Sequence, residues 1–342
     1  MNELQNRLVY LASRPSGIPQ ADHFGIRTAP VAALRAGQVR VRNVYLSVEP
    51  AMRGWVNAVG NYSEPVAIGE VMRAFTAGVV EESRSDAVPV GSWVRGMLGW
   101  QDYAVVDAAR IDRVVTERDL SLSTCLGVMG INGVTAHYGL LNIGEPRPGE
   151  TVVVSTAAGS VGSCVGQIAR IKGCRTVGIT GGETKRRLCL DEFGFDAAVD
   201  YKSPDFIARL REACPDGVDV YYDNTAGSIS DAVMELLNIG ARVIVCGTAS
   251  VADWDPPPVG PRFERRLLVS RARMQGFVIF DHPDRVPGAL LDLATWVKSG
   301  QLRYREDVLE GIEQAPDAIA GLYRGDNLGK RLIRIAPDPS AH

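Results

Sequence analysis

Short apolar runs rich in valine and aromatics dominate the first third of the chain, at residues 38–48, 76–82, 92–97 and 102–106, with Gly, Pro, Ser or Asp between most of them. Apolar runs of that length bounded by turn formers predict strands. The first 125 residues therefore read as β-barrel-like material. From residue 126 the pattern changes to strands alternating with helices, which implies βαβ units, a parallel sheet and right-handed crossovers. Thr151–Ser155 is the clearest strand; after the turn Thr156-Ala157-Ala158-Gly159-Ser160 comes a helix whose apolar face carries Val161, Val165, Ile168 and Ala169. Gly173 ends that helix, and Gly166, one turn beyond Gly162, is expected to let it lie close to the sheet.

The alternation continues through a strand at Arg175–Thr180, a charged helix over 183–193 stopped by Gly194, and strands at Ala197–Asp200, Val218–Asp223 and residues 242–246. A proline-rich loop over 253–261 precedes a sixth apolar run at 274–280 and a helix over 288–298. The tail ends in the strand-like Lys330-Arg-Leu-Ile-Arg-Ile335 and is expected to return to the first domain. The expected organisation is thus α/β, with residues 1–125 and 302–342 in one domain and 126–301 in a doubly wound, nucleotide-binding domain. No internal repeat or low-complexity segment is visible.

Composition narrows the function. With 37 basic and 40 acidic residues the net charge is -3, so the whole chain has no polyelectrolyte footprint for nucleic acid or membrane. The apolar stretch between Arg7 and Arg14 is too short for a signal-peptide core, and nowhere do eighteen apolar residues run together, so a soluble, cytoplasmic protein is expected. Six scattered cysteines, Cys125, Cys164, Cys174, Cys189, Cys214 and Cys246, form no C-x-x-C pair and read as reduced, buried thiols. The four histidines, His23, His137, His282 and His342, have no ligand-like spacing with these cysteines, so no metal is expected, and His137 reads as a packing residue. No Gly-x-Ser-x-Gly elbow suggests a hydrolase.

A dinucleotide turn needs a backbone free to approach a pyrophosphate and a helix N-terminus whose N–H groups and dipole face the anion. Ala157-x-Gly159-x-x-Gly162 supplies both in the order strand, turn, helix, strand, with Ala158, Gly159, Ser160, Val161 and Gly162 as the contacting stretch and alanine in the first glycine slot. At the end of the second strand, where an acid would bind the ribose hydroxyls of NAD, the chain reads Thr180-Gly181-Gly182. The following Glu183-Thr-Lys185-Arg-Arg brings cations within reach of a 2′-phosphate, which favours NADPH/NADP+.

Motifs along nearly the whole chain then resemble one family. They are Val48-Glu-Pro-Ala-Met-Arg-Gly54, Ile68-Gly-Glu-Val-Met72, Met129-Gly-Ile-Asn-Gly-Val-Thr-Ala136, Ala157-Ala-Gly-Ser-Val-Gly162, Tyr222-Asp-Asn224, Arg271-Ala-Arg-Met-Gln-Gly-Phe277 and Asn327-Leu-Gly-Lys330. In this order they resemble the zinc-independent medium-chain dehydrogenase/reductases, specifically the leukotriene B4 dehydrogenase, prostaglandin reductase and curcumin reductase-like group. The resemblance implies a GroES-like β-barrel catalytic domain, an inserted Rossmann domain, a cleft between them and a homodimer. It implies Lys185 and Tyr201 near the adenosine phosphate, and Asn224 and Cys246, Gly247 and Thr248 along the dinucleotide. Near the nicotinamide it implies Asn132, Thr135, Phe277, Val278 and Asn327.

The chemistry expected is conjugate reduction. Without a Lewis acid, an enone or enal accepts hydride at its β-carbon if a hydroxyl donor stabilises the enolate. Tyr62 falls where related reductases carry a substrate-facing tyrosine, and Arg53 lies on a segment that lines the family's cleft, either binding cofactor or pairing with Glu49 or Glu70. Two departures stand out. Ala252, followed by Trp254, occupies the place of a second family tyrosine, and Asn224-Thr-Ala226-Gly227 replaces the usual Asn-Val-Gly-Gly, a change expected to be minor. Two alternatives stay open: a quinone reductase, and an NADPH-binding protein whose redox activity is lost or repurposed.

Overall fold

A computed structural model of the chain describes residues 3–60, 62–251, 256 and 258–340. It divides into two compact units, Met1–Leu126 with Glu306–Asn327 and Arg331–His342, and Gly127–Arg305 with Leu328–Lys330. The units part a few residues from the expected boundaries, and residues 328–330 group with the second unit rather than the first.

The first unit opens with strands β1 (Gln5–Leu11), β2 (Phe24–Pro30) and β3 (Gln38–Ser47) and the one-turn helix α1 (Met52–Trp55). It continues with β4 (Thr76–Ser83), β5 (Trp93–Gly96), β6 (Tyr103–Asp107) and β7 (Ile111–Val114). In the second unit follow α2 (Ile131–Tyr138), β8 (Thr151–Ser155), α3 (Ser160–Ile171), β9 (Arg175–Thr180), α4 (Glu183–Arg187) and β10 (Ala197–Asp200). Next come α5 (Phe206–Ala213), β11 (Val218–Asp223), α6 (Gly227–Met234), β12 (Leu237–Val245), α7 (Glu264–Ser270), β13 (Arg273–Gly276) and α8 (Val286–Lys298). The chain then adds β14 (Glu306–Glu310), α9 (Ala315–Arg324) and β15 (Lys330–Arg334).

β3 organises the first unit. β4 pairs along it from Val39 to Leu46, so its other edge is shared by β6, opposite residues 38–42, and by β15, opposite residues 45–47. The returning tail is therefore a strand of this sheet. Trp55, Met52, Trp100 and Leu46 build its core with Ile319 of α9 and Ile333 of β15.

In the second unit six parallel strands run in the order β10-β9-β8-β11-β12-β13, the doubly wound Rossmann arrangement. Its strand order reverses between β8 and β11, the switch point where such sheets bind ligands beyond their carboxyl ends. Every residue of β8 is buried, as a central parallel strand covered on both faces requires.

Two sequence expectations need correction. The sixth strand ends at Gly276; Phe277 leaves the sheet to pack against Tyr138, with ring centroids 5.5 Å apart, and two 3₁₀ turns follow at Ile279–Asp281 and Pro283–Arg285. An apolar run alone does not distinguish strand from packed coil. Gly166 also differs from expectation, because a Cβ there would lie 2.0 Å from the Phe195 ring. The missing side chain makes room for an aromatic from the loop before β10.

Candidate functional site at the ends of the parallel strands

Beyond β8 the chain turns through Thr156 at φ +56°, an uncommon conformation for a β-branched residue. The Gly159 amide donates to the Thr156 carbonyl at 2.9 Å, and Gly159 is the N-cap of α3. By helix geometry the N–H groups of the first turn, Ser160, Val161 and Gly162, have no intrahelical acceptor. Gly162 brings that turn tight against the strand end, since a Cβ there would lie 2.3 Å from the Thr156 carbonyl oxygen. The alanine in the first glycine slot is accommodated by the neighbouring strand. Ala157 is buried, and a Cβ on Gly178 of β9 would come within 2.7 Å of its methyl. A glycine lost from the turn is thus supplied across the sheet.

The turn has a further neighbour that the residue pattern placed elsewhere. Gly159 forms a parallel bridge with Gly329. Gln167 of α3 holds residue 303 at both its amide and carbonyl, at 2.8 Å each, while the Lys330 amide donates to the Arg305 carbonyl at 2.9 Å. The signal was present in Asn327-Leu-Gly-Lys330, but only the fold puts its glycine on the phosphate turn.

At the end of β9, Thr180 is buried and the backbone opens through Gly181 and Gly182, the latter at φ +85°. One Asp200 oxygen accepts both the Gly182 and Lys202 amides at 2.9 Å, which ties the ends of β9 and β10 together. A Cβ on Gly181 would lie 3.0 Å from the Tyr201 ring, and the Lys202 ammonium lies 6.0 Å from the ring centroid. Glu183 binds both arginines of α4, Arg186 at 2.7 Å and Arg187 at 2.9 Å. Those hydrogen bonds, Arg186 first, hold its carboxyl down to about 2. The acid in this segment is therefore committed to its own helix, and Lys185 and Lys202 are the lysines that flank the two glycines. Lys202 was missed from the sequence; its adjacency to Tyr201 was the available signal.

The ends of β11 and β12 are tied by backbone bonds from the Cys246 and Gly247 amides to the Asp223 carbonyl, at 2.8 and 3.1 Å. Asn224 is fixed across the switch point by its amide to Ser155 Oγ and its Nδ2 to the Ser155 carbonyl, both at 2.8 Å. The buried Asp223 carboxylate accepts the Thr225 and Ala226 amides at 2.9 Å, the Tyr221 phenol at 3.0 Å, and the Ser230 hydroxyl. That network holds Ala226 at φ 58°, ψ -163°, a region essentially reserved for glycine. The replacement of glycine there is therefore not the minor change expected.

Asn132 and Thr135 stand on α2, and the Tyr222 phenol donates to the Thr135 carbonyl at 2.8 Å. Burial pushes the Cys246 thiol, which lies against Tyr222, up to about 12, so it stays a neutral thiol. Phe277 closes this side through Tyr138, whose hydroxyl lies 3.0 Å from His282 Nε2. His137 pairs with Asp292 at 2.9 Å and stacks on Trp296, the packing role expected of it. Among the described residues no cluster of three His, Cys, Asp or Glu has metal-ligand geometry.

Three expected site residues, Arg53, Tyr62 and Asn327, belong to the first unit. Arg53 is 7% exposed and donates to Asn57 Oδ1, so of the two readings left open, cofactor contact or pairing with Glu49 or Glu70, the second is not the one seen; its buried Nε has no acceptor among the described residues. Tyr62 is 53% exposed, on a loop anchored by Arg73, which donates to the Glu64 carbonyl at 2.8 Å and lies over the Trp55 ring. Asn327 follows α9. Ala252 and Trp254 lie outside the described residues.

Family models match both halves of the chain: "N-terminal domain of oxidoreductase" over residues 7–114 and "Zinc-binding dehydrogenase" over residues 160–296. The chain is 42% identical to the NADPH-dependent curcumin reductase of Escherichia coli, covering 98% of each chain. It is 37% identical to prostaglandin reductase 1 of Sus scrofa, covering 93% of this chain and 95% of that one. A crystal structure of CurA from Vibrio vulnificus in complex with NADPH superposes with a TM-score of 0.92 at 42% identity, over 97% of this chain and 99% of that one. With the Rossmann strand order and the glycine turn, these matches establish that the chain belongs to the medium-chain dehydrogenase/reductases, in the group of the curcumin and prostaglandin reductases.

Proposed function

We propose that the protein is an NADPH-dependent reductase of the C=C bond of α,β-unsaturated ketones and aldehydes, delivering hydride to the β-carbon without a metal ion. The observation that carries this reading is the end of β9, where two glycines open a space flanked by Lys185 and Lys202 and the two neighbouring acids are engaged, Glu183 by arginines and Asp200 by the Gly182 and Lys202 amides. A 2′-phosphate fits that chemistry and a pair of ribose hydroxyls does not. The named activities of the curcumin and prostaglandin reductases support the same reading.

In this assignment the amides from Ala158 to Gly162 bind the pyrophosphate. Thr180, Gly181, Lys185, Tyr201 and Lys202 form the adenosine phosphate pocket. Asn224, Cys246, Gly247 and Thr248 run along the dinucleotide; Asn132, Thr135, Phe277, Val278 and Asn327 hold the nicotinamide end. The bound cofactor supplies the hydride. Charge then develops on the substrate carbonyl oxygen, where the Tyr62 phenol donates a hydrogen bond and so stabilises the enolate. Arg53 lies on the substrate side in the first unit.

A panel of enones, enals and quinones against NADPH and NADH tests this directly. Expected are enone-dependent loss of NADPH absorbance and, with deuterated cofactor, deuterium at the product β-carbon. Oxidation by quinones alone would make the protein a quinone reductase; cofactor binding without turnover across the panel would make it a non-redox binder. Tyr62→Phe is expected to lower kcat with folding intact, and unchanged kinetics would remove the phenol from catalysis.

We further propose a cytoplasmic homodimer. All six cysteines are free thiols, as a reducing compartment requires. β13 is an edge strand exposed along its whole length, flanked by the exposed apolar side chains Leu268, Val269 and Ile239. A bare strand edge with apolar side chains beside it is a template for pairing with a second copy. Leu268→Glu should shift the mass in solution from dimer to monomer, and a monomeric parent protein would reject the proposal.

A further inference from the structure

Tyr323 lies in the last turn of α9, packed against the core of the first unit. Its hydroxyl reaches the Pro50 carbonyl at 3.3 Å, on the segment that leads into Arg53. Hydroxyl hydrogen bonds centre near 2.7–2.8 Å, so this is a long bond whose proton redirects to a better acceptor at little cost. The groups that act electrostatically on the phenol are Arg53 and Tyr62. The Tyr323 hydroxyl thus stands on the segment entering α1, the Tyr62 loop is tied to the same helix by the Val66 amide on the Trp55 carbonyl at 2.8 Å and by Arg73 over the Trp55 ring, and the Arg53 guanidinium of α1 keeps a buried donor, Nε, without an acceptor among the described residues. Burying such a donor unmet is unfavourable, a penalty removed when an oxygen arrives.

We propose that Tyr323 is a second oxyanion donor of the reductase site, its phenol hydrogen-bonding the carbonyl oxygen of the bound enone alongside Tyr62, with Arg53 supplying positive charge behind them. The assignment rests on the reductase reading above. In the step it serves, the hydride pair adds to the β-carbon and the C=C π electrons shift to form the enolate oxygen that Tyr323 meets. The α-carbon then takes its proton from water, leaving NADP+ and the saturated carbonyl. Burial raises the phenol to about 12, against which Arg53 acts; it therefore stays protonated through neutral pH and serves as a donor rather than a base.

Tyr323→Phe keeps the ring and removes only the hydroxyl. Two readouts test it: steady-state enone reduction, and binding of p-nitrophenolate, an enolate mimic, followed by its absorbance shift on the NADP+-loaded protein. We expect kcat to fall at least about tenfold, phenolate affinity to fall by a similar factor, and NADPH affinity and Tm to hold. Unchanged phenolate affinity, a parallel loss of NADPH affinity, or a parent protein that binds no phenolate would each overturn the assignment. Tyr323-dependent phenolate binding without reduction of any enone would uphold the oxyanion site and reject the reductase reading instead.

Discussion

Ala226→Gly should stabilise the protein. At φ 58°, ψ -163° the alanine occupies a region that costs a non-glycine residue about 1–3 kcal/mol, and glycine removes that strain. Against it stands the larger conformational freedom of glycine in the unfolded chain, about 0.5–1 kcal/mol. The balance is a gain of about 1 kcal/mol, which for a domain of this size raises Tm by roughly 2–4 °C. The strain persists because Asp223 over-determines the loop. Its carboxylate binds the amides of Thr225 and Ala226 themselves, both at 2.9 Å, and is anchored from below by Tyr221 and Ser230. Ala226→Val should move the other way by a further ~1–2 kcal/mol, because a β-branched side chain tolerates positive φ least. Differential scanning calorimetry of the three proteins at one scan rate measures the series. A Tm for Ala226→Gly at or below that of the parent, or a Val variant as stable as the Ala, would refute the strain argument.

Lys202→Ala and Lys185→Ala should each weaken NADPH binding about tenfold, with NADH binding nearly unchanged, since each removes a cation that the proposed assignment sets against the 2′-phosphate; fluorescence titration of both cofactors checks this, and equal losses for both would contradict it. Raising ionic strength should erode the NADPH preference of the parent protein more than its NADH affinity, because only the former rests on screened charge. Gly166→Ala should destabilise by about 1–3 kcal/mol through overpacking on the Phe195 ring, and Phe195→Leu should recover part of that loss in a double-mutant cycle measured by urea unfolding. Additive losses would mean the two positions do not share the space.

The legible parts of the fold are those decided locally. The strands at Thr151–Ser155, Arg175–Thr180, Ala197–Asp200 and Val218–Asp223 have the limits the residue pattern implies, because a buried parallel strand needs an unbroken apolar run and a polar or glycine stop at each end. What escaped is what long-range packing decides. Nothing near Ala157 announces that Gly178, on the next strand, leaves room for its methyl, nor does anything near Gly166 announce Phe195. Of the two roles left open for Arg53, the pairing with acids close in the chain gives way for the same reason: its bond goes to Asn57, and its charge acts on a tyrosine from the far end of the sequence.

The same distinction bears on the missing family tyrosine. The family resemblance implies a tyrosine where this chain has Ala252, and read along the chain that difference suggests a lost donor and a changed reaction. Reduction, however, requires only that some hydroxyl meet the enolate oxygen, not that it come from a particular loop. In the first unit a half-buried phenol from α9 stands beside the Pro50–Arg53 segment, with Tyr62 and Arg53 as the groups acting on it. Two donors compensate for each other only if both serve the same atom. Installing tyrosine at 252 in the Tyr323→Phe background decides it: recovered kcat would make the two phenols interchangeable, while continued loss would mean that Tyr323 does work the family tyrosine does not.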